Sequence, residues 1–172
     1  MKATSIQLSS SQSMAVALGG TVLSAALART LAPTPNQGAT KIWYDELEKP
    51  AFQPTRTAFG PVWMVLYACT TVGAWRLLKA APSPHRRKAL TLWTAQLGLN
   101  AVWSKLFFGS RLGKASLVDS ASNLIDSAAL TYYAAKVDRP AAALFAPMVA
   151  WLALATGVNE ELWRKNPRAF RD

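Results

Sequence analysis

The sequence predicts an all-α membrane protein, a bundle of five transmembrane helices. Three observations lead there. Of 172 residues, 51% are hydrophobic and 16% charged, whereas a soluble domain carries about a quarter charged residues. The apolar residues gather into five blocks, each near the roughly 20 residues a helix needs to cross the hydrocarbon core. Between the blocks stand short stretches rich in Pro, Gly, Lys and Arg, as expected where basic side chains anchor helix ends at the headgroups.

Residues 1–13 are Ser/Gln-rich with one charge, Lys2. They read as a disordered leader, and two processing readings stay open: a signal peptide ahead of an apolar run, or a Ser-rich, acid-free transit segment. The membrane domain covers 14–166, and 167–172 is a basic tail. The first span is 14–32. Gly20, Ser24 and Ala28 recur every four residues, a face of small side chains that lets a neighbouring helix approach closely. Pro33 and Pro35 end it.

Residues 41–67 then bring Trp43, Tyr44, Phe52, Phe59, Trp63 and Tyr67 around three prolines. The first half lacks a helical period and reads as an ordered loop. The second half enters the second span, 59–79, with Pro61 near its start, where a missing N–H costs little. Trp63, Tyr67, Thr70 and Ala74 share one face of that span. A Pro-rich basic turn, 80–88, leads to the third span, 89–109. There Gln96, Asn100, Trp103 and Phe107 fall on one face, which is polar and aromatic rather than aliphatic. The fourth span, 114–136, is the most polar. Asp119, Asn123 and Asp126 share a face, with Ser116, Ser120 and Ser127 beside them. Carboxylates at membrane depth face protein or a wet cavity, so two readings stay open: hydrogen bonding between helices, or contact with a ligand or proton path. The fifth span, 140–163, carries Pro147, Trp151, Ala155 and Asn159 on one face, and Pro147 is expected to kink it or free a carbonyl.

The net charge of +10 does not indicate nucleic acid, because the basic residues flank apolar blocks instead of lining a helix face. Lys and Arg divide eight to eleven between the two sides, which leans toward a cytosolic C-terminus. The single cysteine, Cys69, lies in an apolar block and reads as a packing residue. The single histidine, His85, lies in the basic turn. A disulfide within the chain, a metal cluster and a His-based catalytic triad are therefore not expected, and no cofactor is implied. No internal repeat is visible.

Three stripes converge: Trp63/Tyr67, Asn100/Trp103 and Trp151/Ala155. An apolar cavity with a few convergent polar groups suits a flat hydrophobic ligand; aromatic packing in a bundle core is the plainer reading of the same periodicity. Further residues carry a resemblance. Trp43-Tyr44, Leu47, Lys49-Pro50, Pro54, Phe59-Gly-Pro-Val-Trp63 and Leu66-Tyr67 resemble the translocator protein family (TspO/MBR, also called the peripheral benzodiazepine receptor). So do Gln96-Leu-Gly-Leu-Asn100, Trp103, Phe107-Phe-Gly109, Asp138-Arg139 with Ala141-Ala142, Pro147, Ala150-Trp151, Ala155-Thr156 and Asn159.

The resemblance spans roughly 14–166. It implies a five-helix bundle, often a homodimer, with a pocket closed by the loop after the first helix. It implies binding of porphyrins such as protoporphyrin IX, sterols such as cholesterol, and synthetic isoquinoline and benzodiazepine ligands. It places the pocket at Tyr44, Trp63, Asn100, Trp103, Trp151 and Ala155, with Phe107 a looser match. It makes 43–57 a lid with Tyr44 reaching inward, and gives Trp63 and Trp151 any light-dependent porphyrin breakdown. It also implies a membrane location, the mitochondrial outer membrane or another eukaryotic membrane ahead of a bacterial envelope.

The chain departs from the family in places. The sterol-recognition pattern of animal members keeps Val158 and Arg164 but has Glu160 in place of tyrosine; Leu130, Tyr132 and Lys136 offer a different match to that loose pattern. Ser104-Lys105 replaces a proline-rich step, Met148 replaces an aromatic, and Asn123 and Asp126 are more polar than the family's usual fourth helix. Three functions follow: a binding protein for tetrapyrroles or sterols acting in transport or sensing, a light- and oxygen-dependent porphyrin-degrading protein, or a membrane scaffold or regulator. Binding is the leading expectation, since no general base converges on the stripes.

Overall fold

The computed structural model describes residues 8–33, 36 and 38–171. Leader residues 1–7, Pro35 and Asp172 of the tail lie outside the described residues. The described chain forms six α-helices: α1 (Ser10–Leu31), α2 (Gly38–Glu46), α3 (Arg56–Lys79), α4 (Pro84–Ser104), α5 (Gly113–Ala135) and α6 (Arg139–Lys165). A π-helical turn, Lys105–Gly109, extends α4.

The five long helices close a ring. α1 packs against α3 and α4, α4 against α5, α5 against α6, and α6 back against α3. α1, α3 and α6 are long and apolar enough to cross a membrane by length and composition. The five-span expectation is met in part: α4 and α5 have the length, 21 and 23 residues, but not the composition. α4 opens with His85, Arg86, Arg87 and Lys88, and α5 carries Lys114, Asp119, Asp126 and a run of serines.

Helix starts follow capping chemistry that the apolar periodicity does not report. α1 begins at Ser10, four residues ahead of the expected span. Ser9 accepts a hydrogen bond from the Gln12 amide, and the Gln12 side chain accepts one from the Ser9 amide, a complete capping box. Residues 10–13 are thus helical and not part of a disordered leader. α4 begins within the supposed basic turn, because Ser83 accepts from the Arg86 amide and Pro84 occupies the first turn. The largest correction is α2: Gly38–Glu46 is a helix where a loop was expected. Thr40, Trp43, Tyr44 and Leu47 are its buried side and fall at i, i+3, i+4 and i+7, a period masked by the prolines that follow. Pro61 lies one full turn inside α3, and α6 runs through Pro147 without a break.

The small-residue face of α1 meets α4. Ser24 donates to the Leu97 carbonyl at 2.7 Å. A Cβ at Gly20 would stand 2.9 Å from the Trp93 ring, so glycine is what lets that indole lie against the α1 backbone. The core divides along the bundle. Ala17, Leu77, Trp93, Leu130 and Phe145 pack one end; Leu66, Met148 and Leu152 pack the middle; and α2 covers the other end through Trp43, Tyr44 and Leu47.

Candidate functional site

The seven expected site residues fall into two aromatic groups joined by α4 and α6. The first lies under α2. Tyr44 meets Phe107 with ring centroids 6.4 Å apart, and Trp103 stacks on Phe107 at 5.0 Å and 13°. That stack is the i, i+4 spacing of the sequence carried into the π turn, where Phe107 is 1% exposed. Phe108 joins it, edge-on to both Trp103 and Tyr44. The second group is deeper: Trp63 on α3 faces Trp151 on α6 at 6.4 Å and 82°, and Phe59 meets Trp151 at 5.3 Å. Among the described residues no ring contact joins the two groups. Asn100 and Ala155 lie on the helices between them, Ala155 one turn beyond Trp151.

Polar contacts fix the walls. The Trp103 indole donates to Asn159 Oδ1 at 2.9 Å, tying α4 to α6. Asn123 Nδ2 donates to Asn100 Oδ1 at 2.8 Å, and Gln96 Nε2 donates to Ser127 at 2.6 Å, tying α4 to α5. Ser120 and Thr156 join α5 to α6 at 2.8 Å. Ser120, Asn123 and Ser127 of α5 therefore do what the first reading of that polar face expects, whereas Ser116 donates to the Gly113 carbonyl of its own helix at 2.9 Å. Within a membrane such bonds average about 0.6 kcal/mol and reach roughly 1.7. Several buried atoms keep no protein partner: the donors Trp151 Nε1, Asn100 Nδ2 and Asn159 Nδ2, and the carboxylate oxygens Asp119 Oδ2 and Asp126 Oδ2. Buried polar groups are nearly always paired, and these atoms are exceptions, three of them donors on α4 and α6 beside the rings.

Charged side chains cluster on the outer side of α2. Asp45 pairs with Lys41 at 2.6 Å and with Arg56. The Lys41 hydrogen bond first, and Arg56 next, hold the Asp45 carboxyl below its ordinary value. Lys49 Nζ and the Arg56 guanidinium lie over the two-sided Tyr44 ring at 5.2 and 5.6 Å. Burial pushes the Tyr44 hydroxyl up and the Lys49 amine down. Phe52 leans on α6, 3.7 Å from where a Gly157 Cβ would sit.

The chain's last residues fasten this lid, which the sequence reading missed. Trp43 donates its indole N–H to the Ala169 carbonyl at 3.1 Å. Asn166 bonds the Glu48 backbone both ways, accepting from its amide at 2.8 Å and donating to its carbonyl at 3.0 Å. Phe170, 7% exposed, sets its ring edge against Trp43 and Phe107. The supposed basic tail is thus partly a hydrophobic plug. A lone Phe amid Arg and Asp was the available signal. Asn159 was the other omission from the site, although it shares the Trp151/Ala155 face.

His85 lies at the far end of α4, beside Tyr133, and among the described residues no three His, Cys, Asp or Glu side chains could hold a metal ion.

Comparison with known proteins gives a consistent result. A sequence model of the TspO/MBR family matches residues 15–164. "Translocator protein" of Homo sapiens is 36% identical over 126 residues, 72% of this chain and 75% of the relative. "Translocator protein" of Bos taurus is 34% identical over 128 residues, with the same coverage of 72% and 75%. "Tryptophan-rich sensory protein" of Cereibacter sphaeroides is 33% identical over 124 residues, 72% of this chain and 77% of the relative.

Proposed function

This chain belongs to the TspO/MBR family, and from that premise we propose that it is an integral membrane protein that binds a porphyrin such as protoporphyrin IX beneath the α2 lid, in tetrapyrrole transport or sensing. The observation that carries this reading is the Trp63–Trp151 pair with the unpartnered Trp151 indole N–H, and the unpartnered Asn100 and Asn159 Nδ2 donors nearby on α4 and α6. Indole faces favour a flat π-system, and N–H donors favour a ligand that carries acceptors, as porphyrin carboxylates do.

Sterols such as cholesterol fit less well. Glu160, standing where the sterol pattern needs tyrosine, pairs with Arg164 at 3.5 Å. In the second match Leu130 is wholly buried while Tyr132 is 57% exposed, so the two offer no common surface.

All five long helices span the bilayer in this reading. Gln96 and Asn100 of α4 and Asp119, Ser120, Asn123 and Ser127 of α5 are buried, while Val102, Val118 and Ile125 face out, as lipid contact requires. The mammalian relatives support a eukaryotic membrane, the mitochondrial outer membrane among the candidates, and the family resemblance supports a homodimer.

The test is a titration of the purified protein with protoporphyrin IX and with cholesterol, followed by tryptophan quenching. Porphyrin should bind more tightly, and Trp63→Ala and Trp151→Ala should each weaken it about tenfold, the loss of one stacked ring. Unchanged affinity in both variants would remove the site assignment.

A further inference from the structure

We propose that the end of the bundle opposite the lid holds an anionic phospholipid, its phosphate against Arg87 and Arg86 and an acyl chain along α4 from Leu90 to Thr94. This goes beyond the ligand reading above and uses none of its residues. That end gathers the α3–α4 turn, the α5–α6 turn and the helix termini they join. It carries Arg76, Lys79, Arg86, Arg87, Lys88, Lys136 and Arg139 against one carboxylate, Asp138. Only Arg76 meets that carboxylate, with Nε 2.7 Å from Asp138 Oδ2. The six other cations have no acidic partner among the described residues. At the lid end four of the basic residues, Lys41, Arg56, Arg164 and Lys165, do pair with an acid, Asp45, Glu48, Glu160 or Glu161. The lid end sets five acids, Asp45, Glu46, Glu48, Glu160 and Glu161, among its basic residues, whereas the opposite end offers Asp138 alone.

The unmatched cations are placed rather than loose. Lys79 Nζ lies 4.5 Å from the Trp75 ring, Lys88 5.1 Å from Tyr133 and Lys136 5.0 Å from Tyr132. Aromatic rings hold those ammonium groups at the depth where headgroups lie. Arg86 spans the α3 terminus, donating to the Leu77 carbonyl at 2.7 Å and the Leu78 carbonyl at 2.8 Å, which fixes its guanidinium at the mouth of a cleft of about 570 Å³. Arg87 stands at the same cleft, exposed, and its side chain has no partner among the described residues. Below it the cleft continues over Leu90, Thr91 and Thr94, about 10 Å further along the helix axis at 1.5 Å per residue. Charge at headgroup level above a partly apolar furrow at acyl level is the complement of one anionic phospholipid. An acidic protein would meet the charge but leave the furrow without a counterpart.

The test uses the full chain in nanodiscs containing phosphatidylglycerol and phosphatidylcholine, with retained lipid read by native mass spectrometry and thermal stability read in parallel. Phosphatidylglycerol should be retained preferentially and raise Tm. Arg87→Gln should cut that preference about fivefold, the contribution of one basic residue at an anionic surface. Arg87→Lys should restore most of it, and charge-matched Arg168→Gln at the other end should change nothing. Far-UV circular dichroism and porphyrin titration should leave Arg87→Gln indistinguishable from the parent, separating this site from the ligand site about 24 Å away along α4, measured from Arg87 to Trp103. Equal retention of the two lipids, an equal loss in Arg168→Gln, or equal stabilisation by soluble glycerol phosphate would each overturn the proposal. The first of these would leave the patch to an acidic protein.

Discussion

Replacing Phe170 by alanine should open the lid without unfolding the bundle. The ring is 7% exposed and presents edges to Trp43 at 5.6 Å and Phe107 at 5.7 Å. Each edge-to-face pair contributes about 0.5–1.5 kcal/mol beyond burial, and burial of the side chain itself about 1.5–3 kcal/mol. Together these reach the ~3–5 kcal/mol typical of a core Phe→Ala change. The lower bound is the better figure here, since Ala169, Asn166 and the Tyr44–Phe107 contact remain. About 3 kcal/mol corresponds to roughly a hundredfold rise in the open fraction, at tenfold per 1.4 kcal/mol. Hydrogen exchange of the 38–47 amides in detergent reads this directly. Protection there should fall by about two decades, while protection in α5 and the middle of α6 stays at the parent level. Phe170→Leu, which keeps the burial and loses the ring edges, should lose only about one decade. Unchanged protection of 38–47 in a folded Phe170→Ala protein would show that the tail does not hold the lid.

Three further outcomes follow from the same geometry. Gly73→Ala should lower Tm, because the new Cβ would meet the Phe145 ring at 2.9, 3.0 and 3.2 Å; overpacking of about 1–3 kcal/mol outweighs the ~1 kcal/mol gained in helix propensity. Asp45→Asn should lower Tm by a constant amount from pH 7 to 5. The difference should shrink below about pH 4, because a carboxyl held down by Lys41 and Arg56 contributes stability above its unfolded value and loses it as pH falls through its folded one. Under illumination in air, protoporphyrin should bleach faster with the parent protein than with a Trp63→Ala, Trp151→Ala double variant; equal bleaching with and without protein would remove the degradation reading.

The five long helices were legible because Pro, Gly or basic residues bound each one, although α4 and α5 are less apolar than α1, α3 and α6, and the facing of α1 toward α4 was legible in the Gly20/Ser24/Ala28 spacing. The Trp103–Phe107 stack followed from i, i+4 spacing, and Trp63 and Trp151 did meet. Hydrophobic periodicity reports which face of a helix is buried. It does not report where a helix is capped, so the early starts of α1 and α4 lay in Ser9/Gln12 and Ser83/Pro84 instead. Nor does it report which distant segment supplies a partner. Asn166 to Glu48 and Ala169 to Trp43 join residues 118 and 126 positions apart, and no local pattern encodes such pairs. The division of the seven site residues into two ring groups was hidden for the same reason: periodicity places a residue on a face but does not set its depth relative to a residue on another helix.

The fastening of the lid also orders the protein's birth. α2 emerges from the ribosome early, yet every bond that fastens it to the tail waits for residues 166–170, more than a hundred residues later. Contacts that far apart form late, because the intervening chain must first be arranged. During synthesis and membrane insertion the mouth of the bundle therefore stands uncovered, and it is sealed only when the end of α6 has been delivered. Under the proposed function, a hydrophobic ligand present at that stage would meet an open site, and one arriving afterwards would wait for the lid to lift.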